Sequence, residues 1–320
     1  MSDLHHQRMT LAREGKDWPY REASQMIKAA GFLWHVQHLG VQSHISQRPK
    51  LLLVHGTGAS THSWMGVIPL LIAEFEILAI DLPGHAFTHA LASGHASLPA
   101  MSKALHQLLQ QMDFQPDLVM GHSAGAAIAV RMALDGYIKP KLIISLNGAF
   151  LPFEGLAGRI FSPIARLLLL NPFVPRLFAW SIDRAGVNRL MLGMGSVIPT
   201  ASVDLYVRLF RNSAHVASVL DMLAHWQLET FQRDLRTLTQ PLVLIVGDKD
   251  KAVPPQSAQQ IKARLPSASV LHLPGLGHLA HEENPALVAD HILKLAKNAG
   301  LLPAPSPNSA PASKDEQSKA

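Results

Sequence analysis

Apolar residues fall along this chain in short, nearly solid runs: Leu51–Val54, Ile77–Ile80, Leu118–Met120, Leu142–Leu146, Leu242–Val246 and Val270–Leu273. A strand with one wet face alternates apolar and polar positions, whereas a strand covered on both faces does not. The six runs are therefore expected as buried strands of a mostly parallel sheet. Gln25–Ala30 and Phe32–Leu39, split by Gly31, read as an opening hairpin. Met101–Met112, Ala124–Leu134, Pro255–Leu265 and Pro285–Lys297 read as helices between the runs. Such alternation predicts an α/β fold with helices on both faces of a twisted sheet.

The rhythm stops between about Phe150 and Trp226, where Pro, Arg and amphipathic stretches replace strand-like runs. About seventy residues is too long for a connection within a compact domain. We read residues 150–226 as a helical lid inserted between a first core segment, 1–149, and a second, 227–299. The lid's basic residues are Arg159, Arg166, Arg176, Arg184, Arg189, Arg208 and Arg211, with no Lys. In the stretch 300–320, twelve of the last twenty residues are Pro, Ser or Ala, so a disordered tail is expected.

Composition narrows the chemistry. The 320 residues include no Cys, which excludes thiol nucleophiles, disulfides and Cys-held zinc. A net charge of +5 without a Lys/Arg block argues against nucleic acid. Met1–Tyr20 has no apolar core of a signal peptide, so a cytoplasmic location is expected. The greasiest stretch, Ile160–Ile182, is broken by three Pro and carries two Arg, and is not read as a membrane span. No cofactor motif is present. Gly56-Thr57-Gly58 lacks the rest of a phosphate loop, and the abundant His form no zinc pattern, so no metal site is expected.

Gly121-His122-Ser123-Ala124-Gly125 matches the G-x-S-x-G turn, between an expected strand and an expected helix. The glycines remove side chains that would collide around a strained serine. Ser123 needs a base and the base needs an acid, in the order Ser, Asp/Glu, His along the chain. Position selects His278 as base and Asp250 as its orienting carboxylate, with Asp248 the competing acid. His281 is expected to face solvent or cap the last helix, and His272 to be a bonded core histidine. The oxyanion donors are the N–H groups of Ala124 and Thr57. His55 and His122 are read as supporting residues.

Five ordered motifs carry a resemblance: His55-Gly56-Thr57-Gly58, Asp81-Leu82-Pro83-Gly84-His85, the Ser123 turn, Gly247–Asp250, and Gly277-His278 followed by Glu282 and Pro285. Together they resemble the α/β-hydrolase superfamily. A narrower resemblance rests on Asp17-Trp18-Pro19-Tyr20-Arg21-Glu22-Ala23-Ser24, Trp34-His35-Val36-Gln37 and the decamer His55–Trp64. These are similar to the magnesium-chelatase accessory proteins of bacteriochlorophyll synthesis. That likeness implies a role at or near insertion of Mg²⁺ into protoporphyrin IX, with chelatase subunits as partners and a place peripheral to the photosynthetic membrane. Ala86, where many superfamily members have Gly, is the one departure.

Three functions follow as expectations. One is a serine hydrolase taking a small apolar ester under the lid. Another is a general carboxylesterase or carbon–carbon bond hydrolase with the same triad. The last is a non-catalytic protein that binds a tetrapyrrole or the chelatase, with Arg159, Arg166 and Arg176 pairing propionates and Met191 and Met194 lining an apolar pocket.

Overall fold

The computed structural model describes residues 8–41, 48–91, 94–151, 171 and 173–303. Eight strands form one sheet: β1 Ser24–Ala29, β2 Phe32–Leu39, β3 Lys50–Val54, β4 Glu76–Ile80, β5 Leu118–His122, β6 Leu142–Leu146, β7 Leu242–Gly247 and β8 Ser269–Leu273. Their spatial order is β1-β2-β4-β3-β5-β6-β7-β8. The hairpin β1–β2 joins antiparallel to β4, and all later neighbours run parallel.

The described helices are α1 Ile68–Leu71, α2 Leu98–Gln111, α3 Ala124–Leu134, α4 Phe173–Ser181, α5 Arg184–Gly193, α6 Thr200–Phe210, α7 Ser213–His225, α8 Glu229–Asp234, α9 Gln256–Arg264, α10 Ala280–Glu283 and α11 Pro285–Asn298. Strand residues of alternate parity point to opposite faces, and both faces are dry. Leu52, Val54, Leu78, Ile80 and Val119 pack under α2, α3 and α9. Leu51, Leu53, Ile77, Ala79, Leu118 and Met120 pack under α1 and α11. The solid apolar runs have this cause. β8 differs: it lies at the sheet edge and only Leu273 is fully buried.

Between β6 and β7 the described residues hold helices and no strand. A third cluster joins Val187, Met191, Val203, Leu205, Tyr206, Leu209 and Phe210 of the inserted helices to Met9, Trp18 and Phe87. The three stretches behind the narrower resemblance meet there. Trp18 Nε1 donates to Thr61 Oγ1 at 3.3 Å, and Gln37 Nε2 donates to the Pro19 carbonyl at 2.6 Å. Asp81 joins His35 (2.7 Å) to the Thr61 amide (2.7 Å), and Asp17 takes a two-pronged bond from Arg208.

No helix among the described residues is long and apolar enough to cross a membrane. Arg159, Arg166 and the expected tail from 304 onward lie outside the described residues.

Candidate active site

Register places the carboxyl ends of β3, β5, β6, β7 and β8 along one rim: Val54 pairs Gly121, His122 pairs Leu146, and Gly247 pairs Leu273. The loops leaving that rim carry the candidate chemistry, as open α/β sheets favour.

Ser123 joins β5 to α3 at φ 51° and ψ −116°. Such a backbone costs a non-glycine residue about 1–3 kcal/mol and is held by its surroundings. Here the Ser123 N–H donates to Leu146 O, and the Ser123 carbonyl accepts from Ala126 and Ala149. A Cβ on Gly121 would lie 2.5 Å from the Ala126 backbone, and one on Gly125 would lie 2.2 Å from Val54 O. Neither glycine has room for a side chain.

His278 Nδ1 lies 2.8 Å from Asp250 Oδ2, with the side chains 7% and 0% exposed. Asp250 Oδ1 accepts the Ala252 and Val253 N–H groups, both at 2.8 Å, so the carboxylate is fixed in plane. The buried carboxylate puts the ring proton on Nδ1 and leaves Nε2 as the basic edge. Asp248 turns the other way and pairs with the exposed His272 at 2.8 Å.

The histidine loop and the serine turn meet through His122. Its Nε2 donates to the His278 carbonyl at 2.9 Å, and the two rings lie 4.7 Å apart. Burial, with His281 and His278 nearby, holds His122 well below the ordinary imidazole range. Among the described residues no hydrogen bond joins Ser123 Oγ to the His278 ring; bonds of this kind are often open before substrate arrives.

The glycine loop runs against the nucleophile, since a Cβ on Gly56 would lie 3.0 Å from Ser123 Cβ. His55 shapes that loop. Its Nε2 accepts the Leu82 N–H at 2.9 Å, so Nδ1–H donates to Gly56 O at 2.7 Å. This pairing needs a neutral ring, and burial draws His55 down to about 3. The Thr57 and Ala124 amides enter no hydrogen bond among the described residues. Ala124 opens α3, where the helix dipole favours an anion.

Three residues with clear roles in this geometry escape the sequence reading. Asn147 donates from Nδ2 to the Gly277 and His278 carbonyls at 3.0 and 2.7 Å, and accepts the Gly247 N–H at 2.7 Å. Ser196, in the turn after α5, donates to Glu283 Oε1 and accepts the Leu279 N–H, both at 2.8 Å. Glu283 Oε1 also accepts the Gly277 N–H at 2.8 Å. Both amides flanking His278 are thereby held. The Asn-Gly pair closing β6 was the only local signal.

Two expectations are corrected. His281 does not face solvent: α10 folds back against residues 61–64, burying the ring 4.6 Å from Trp64 and 4.6 Å from His122, and burial lowers it to about 3. His272 is exposed rather than in the core, because β8 is an edge strand. Next to His281, burial raises the Glu282 carboxyl to about 8, and Tyr206 of α6 donates to it at 2.8 Å.

Of the remaining candidates among the inserted helices, Met194 borders this rim, its carbonyl accepting the Lys251 N–H at 3.2 Å. Arg176 is exposed on α4, while Arg184 and Arg208 pair with Asp204 and Asp17. Met191 is buried and Met194 partly buried in the cluster that seats the inserted helices.

A family model described as "Alpha/beta hydrolase family" matches residues 51–291. The chain belongs to the alpha/beta hydrolase family. It is 36% identical over 267 residues to the "Magnesium-chelatase 30 kDa subunit" of Rhodobacter capsulatus, covering 83% of this chain and 92% of that protein. It therefore shares that subunit's family within the hydrolases. An uncharacterized hydrolase of Bacillus subtilis is 26% identical, over 78% of this chain and 90% of its own length. Among solved structures, an epoxide hydrolase without ligand superposes with a TM-score of 0.71 at 19% identity, covering 86% and 98% of the two chains. At that identity the likeness is one of fold.

Proposed function

We propose that the protein is a serine hydrolase with Ser123 as nucleophile, His278 as general base and Asp250 as the carboxylate that orients it. The buried 2.8 Å contact between His278 and Asp250 carries this reading, because a dry carboxylate on Nδ1 fixes the tautomer a base needs. His278 Nε2 takes the Ser123 proton as Oγ attacks a carbonyl carbon. The tetrahedral oxyanion is received by the Thr57 and Ala124 amides. His278 then returns the proton to the leaving group, and water repeats the sequence on the acyl-enzyme. The substrate class is an apolar ester. The role lies at or near the magnesium-chelatase step, with chelatase subunits as partners at the face of the photosynthetic membrane.

A fluorophosphonate probe is expected to label Ser123 in the wild-type protein and to fail on S123A. Absence of labelling on well-folded wild type overturns the hydrolase reading. The likeness to a chelatase subunit favours a second reading, in which the fold binds a tetrapyrrole or the chelatase without turnover. S123A separates the two: loss of esterase activity with the chelatase step intact means that hydrolysis is not the pathway role. The lid arginines give that second reading less support than their number suggests, since Arg184 and Arg208 already face carboxylates.

A further inference from the structure

Where inserted helix α7 crosses the loop ahead of α2, three side chains with metal-binding atoms converge, none of them used in the proposed hydrolysis. Asp221 and His225 stand one turn apart on α7 and so share a face. His95 reaches them from the core loop. One ligand atom from each lies within 4.8 Å of the other two, the only such group among the described residues. His95 Nδ1 is 3.0 Å from Asp221 Oδ1, and His225 Nδ1 is 3.1 Å from the same oxygen while donating to the Asp221 main-chain carbonyl at 2.8 Å, a bond that an ion would replace. Two donors each held about 2.0–2.1 Å from a tetrahedral ion stand about 3.3 Å apart. The donors are thus already near the spacing that an ion imposes.

The surroundings fit. Asp221 Oδ2 accepts the Ala96 N–H at 2.8 Å, an outer partner that fixes the carboxylate as metal sites require. The two imidazoles stack, 3.7 Å between centroids and 6° from parallel. Stacked planes do not aim at one point, so His95 must turn out of the stack. Its side chain is 62% exposed, which leaves that rotation free and a fourth position open to water.

We propose that His95, Asp221 and His225 form a site for one divalent transition-metal ion of the zinc type, which staples α7 to the core. Two imidazoles and one carboxylate select zinc, nickel or copper over magnesium and calcium. The stapled helix is well placed to matter: Met222 Sδ touches Thr57 Oγ1 at 3.6 Å, and Ser218 fills the space above Gly84. The ion holds α7 over the glycine loop.

The test uses the full chain without a histidine tag, stripped with EDTA and titrated with ZnCl₂ at pH 7.5 by calorimetry. One saturable equivalent is expected, with none for millimolar MgCl₂. H95A and H225A should each weaken it at least about tenfold, while H272A, at an exposed histidine on the far edge, should not. Hydrogen exchange across residues 213–225 should slow on adding Zn²⁺ in wild type and not in H95A. No saturable binding below about 100 μM Zn²⁺, against the usual tightness of such sites, or affinity unchanged in both variants, overturns the site. Binding lost in H95A without any change in exchange in wild type overturns the staple.

Discussion

Ser123 holds a backbone conformation that glycine would hold without strain. S123G is therefore expected to be more stable than S123A by about 1 kcal/mol in urea titrations, with strain relief of about 1–3 kcal/mol set against about 0.5–1 kcal/mol of glycine entropy. Equal stabilities would show that the turn is relaxed. The two neighbouring acids give a cleaner contrast. D250N presents an amide to His278 Nδ1 and is expected to lower kcat by about 10⁴-fold. D248N removes only an exposed pair and should leave kcat within about twofold. Equal losses would mean that the acid has been misassigned. Ser123, Asp250 and His278 were legible as candidates because each sits in a short motif after an apolar run. Asn147, Ser196 and Glu283 were not. They hold backbone groups from as far as 131 residues away, and nothing local encodes the partner.

Among elements, the turn after α5 stands out, because it grips the histidine loop from outside the sheet. Ser196 is fully buried and bridges Glu283 to the amide after His278. S196A leaves both partners short of a hydrogen bond, a loss of about 1–3 kcal/mol in stability. If the turn positions His278, kcat on an activated ester falls by about tenfold while KM stays put, a split that fits a group acting only in the transition state. A change in KM alone would mean that the turn shapes the pocket instead. The strands were legible to within about two residues, since burial on both faces writes a solid run. Their polar first residues, Lys50, Glu76 and Ser269, fell outside the runs. β8 misled at His272 because the half-buried Val270 and Leu271 of this edge strand write the same apolar run as an interior strand. The inserted helices could be expected as a group but not placed, because their packing partners, among them Met9, Trp18, Ala59 and Phe87, lie far away along the chain.

Across the molecule, buried histidines set the acid limit. Burial draws His55, His62 and His281 down to about 3 and His85 to about 4, and lowers His122 and His215 well below the ordinary range. Unfolded, all six titrate near ~6.5. Between those values the unfolded chain holds more protons, so stability falls as pH falls. Each group contributes about 1.4 kcal/mol per pH unit. Urea midpoints measured from pH 7.5 to 5 should drop steeply, and a flat profile would count against neutral buried rings. Glu282 acts in the opposite sense, with its carboxyl raised to about 8 against ~4.3 unfolded. Its contribution is greatest in acid and declines as pH climbs to 8, so E282Q should gain on wild type over pH 6–8, and increasingly so.

The seam between the inserted helices and the chain's opening residues is built from side chains that belong to neither large layer under the sheet. Small separate cores open at lower cost than the body they rest on. Gentle warming should therefore free Trp18 and its neighbours together as one unit, giving a protease its first cuts there while the eight strands still stand.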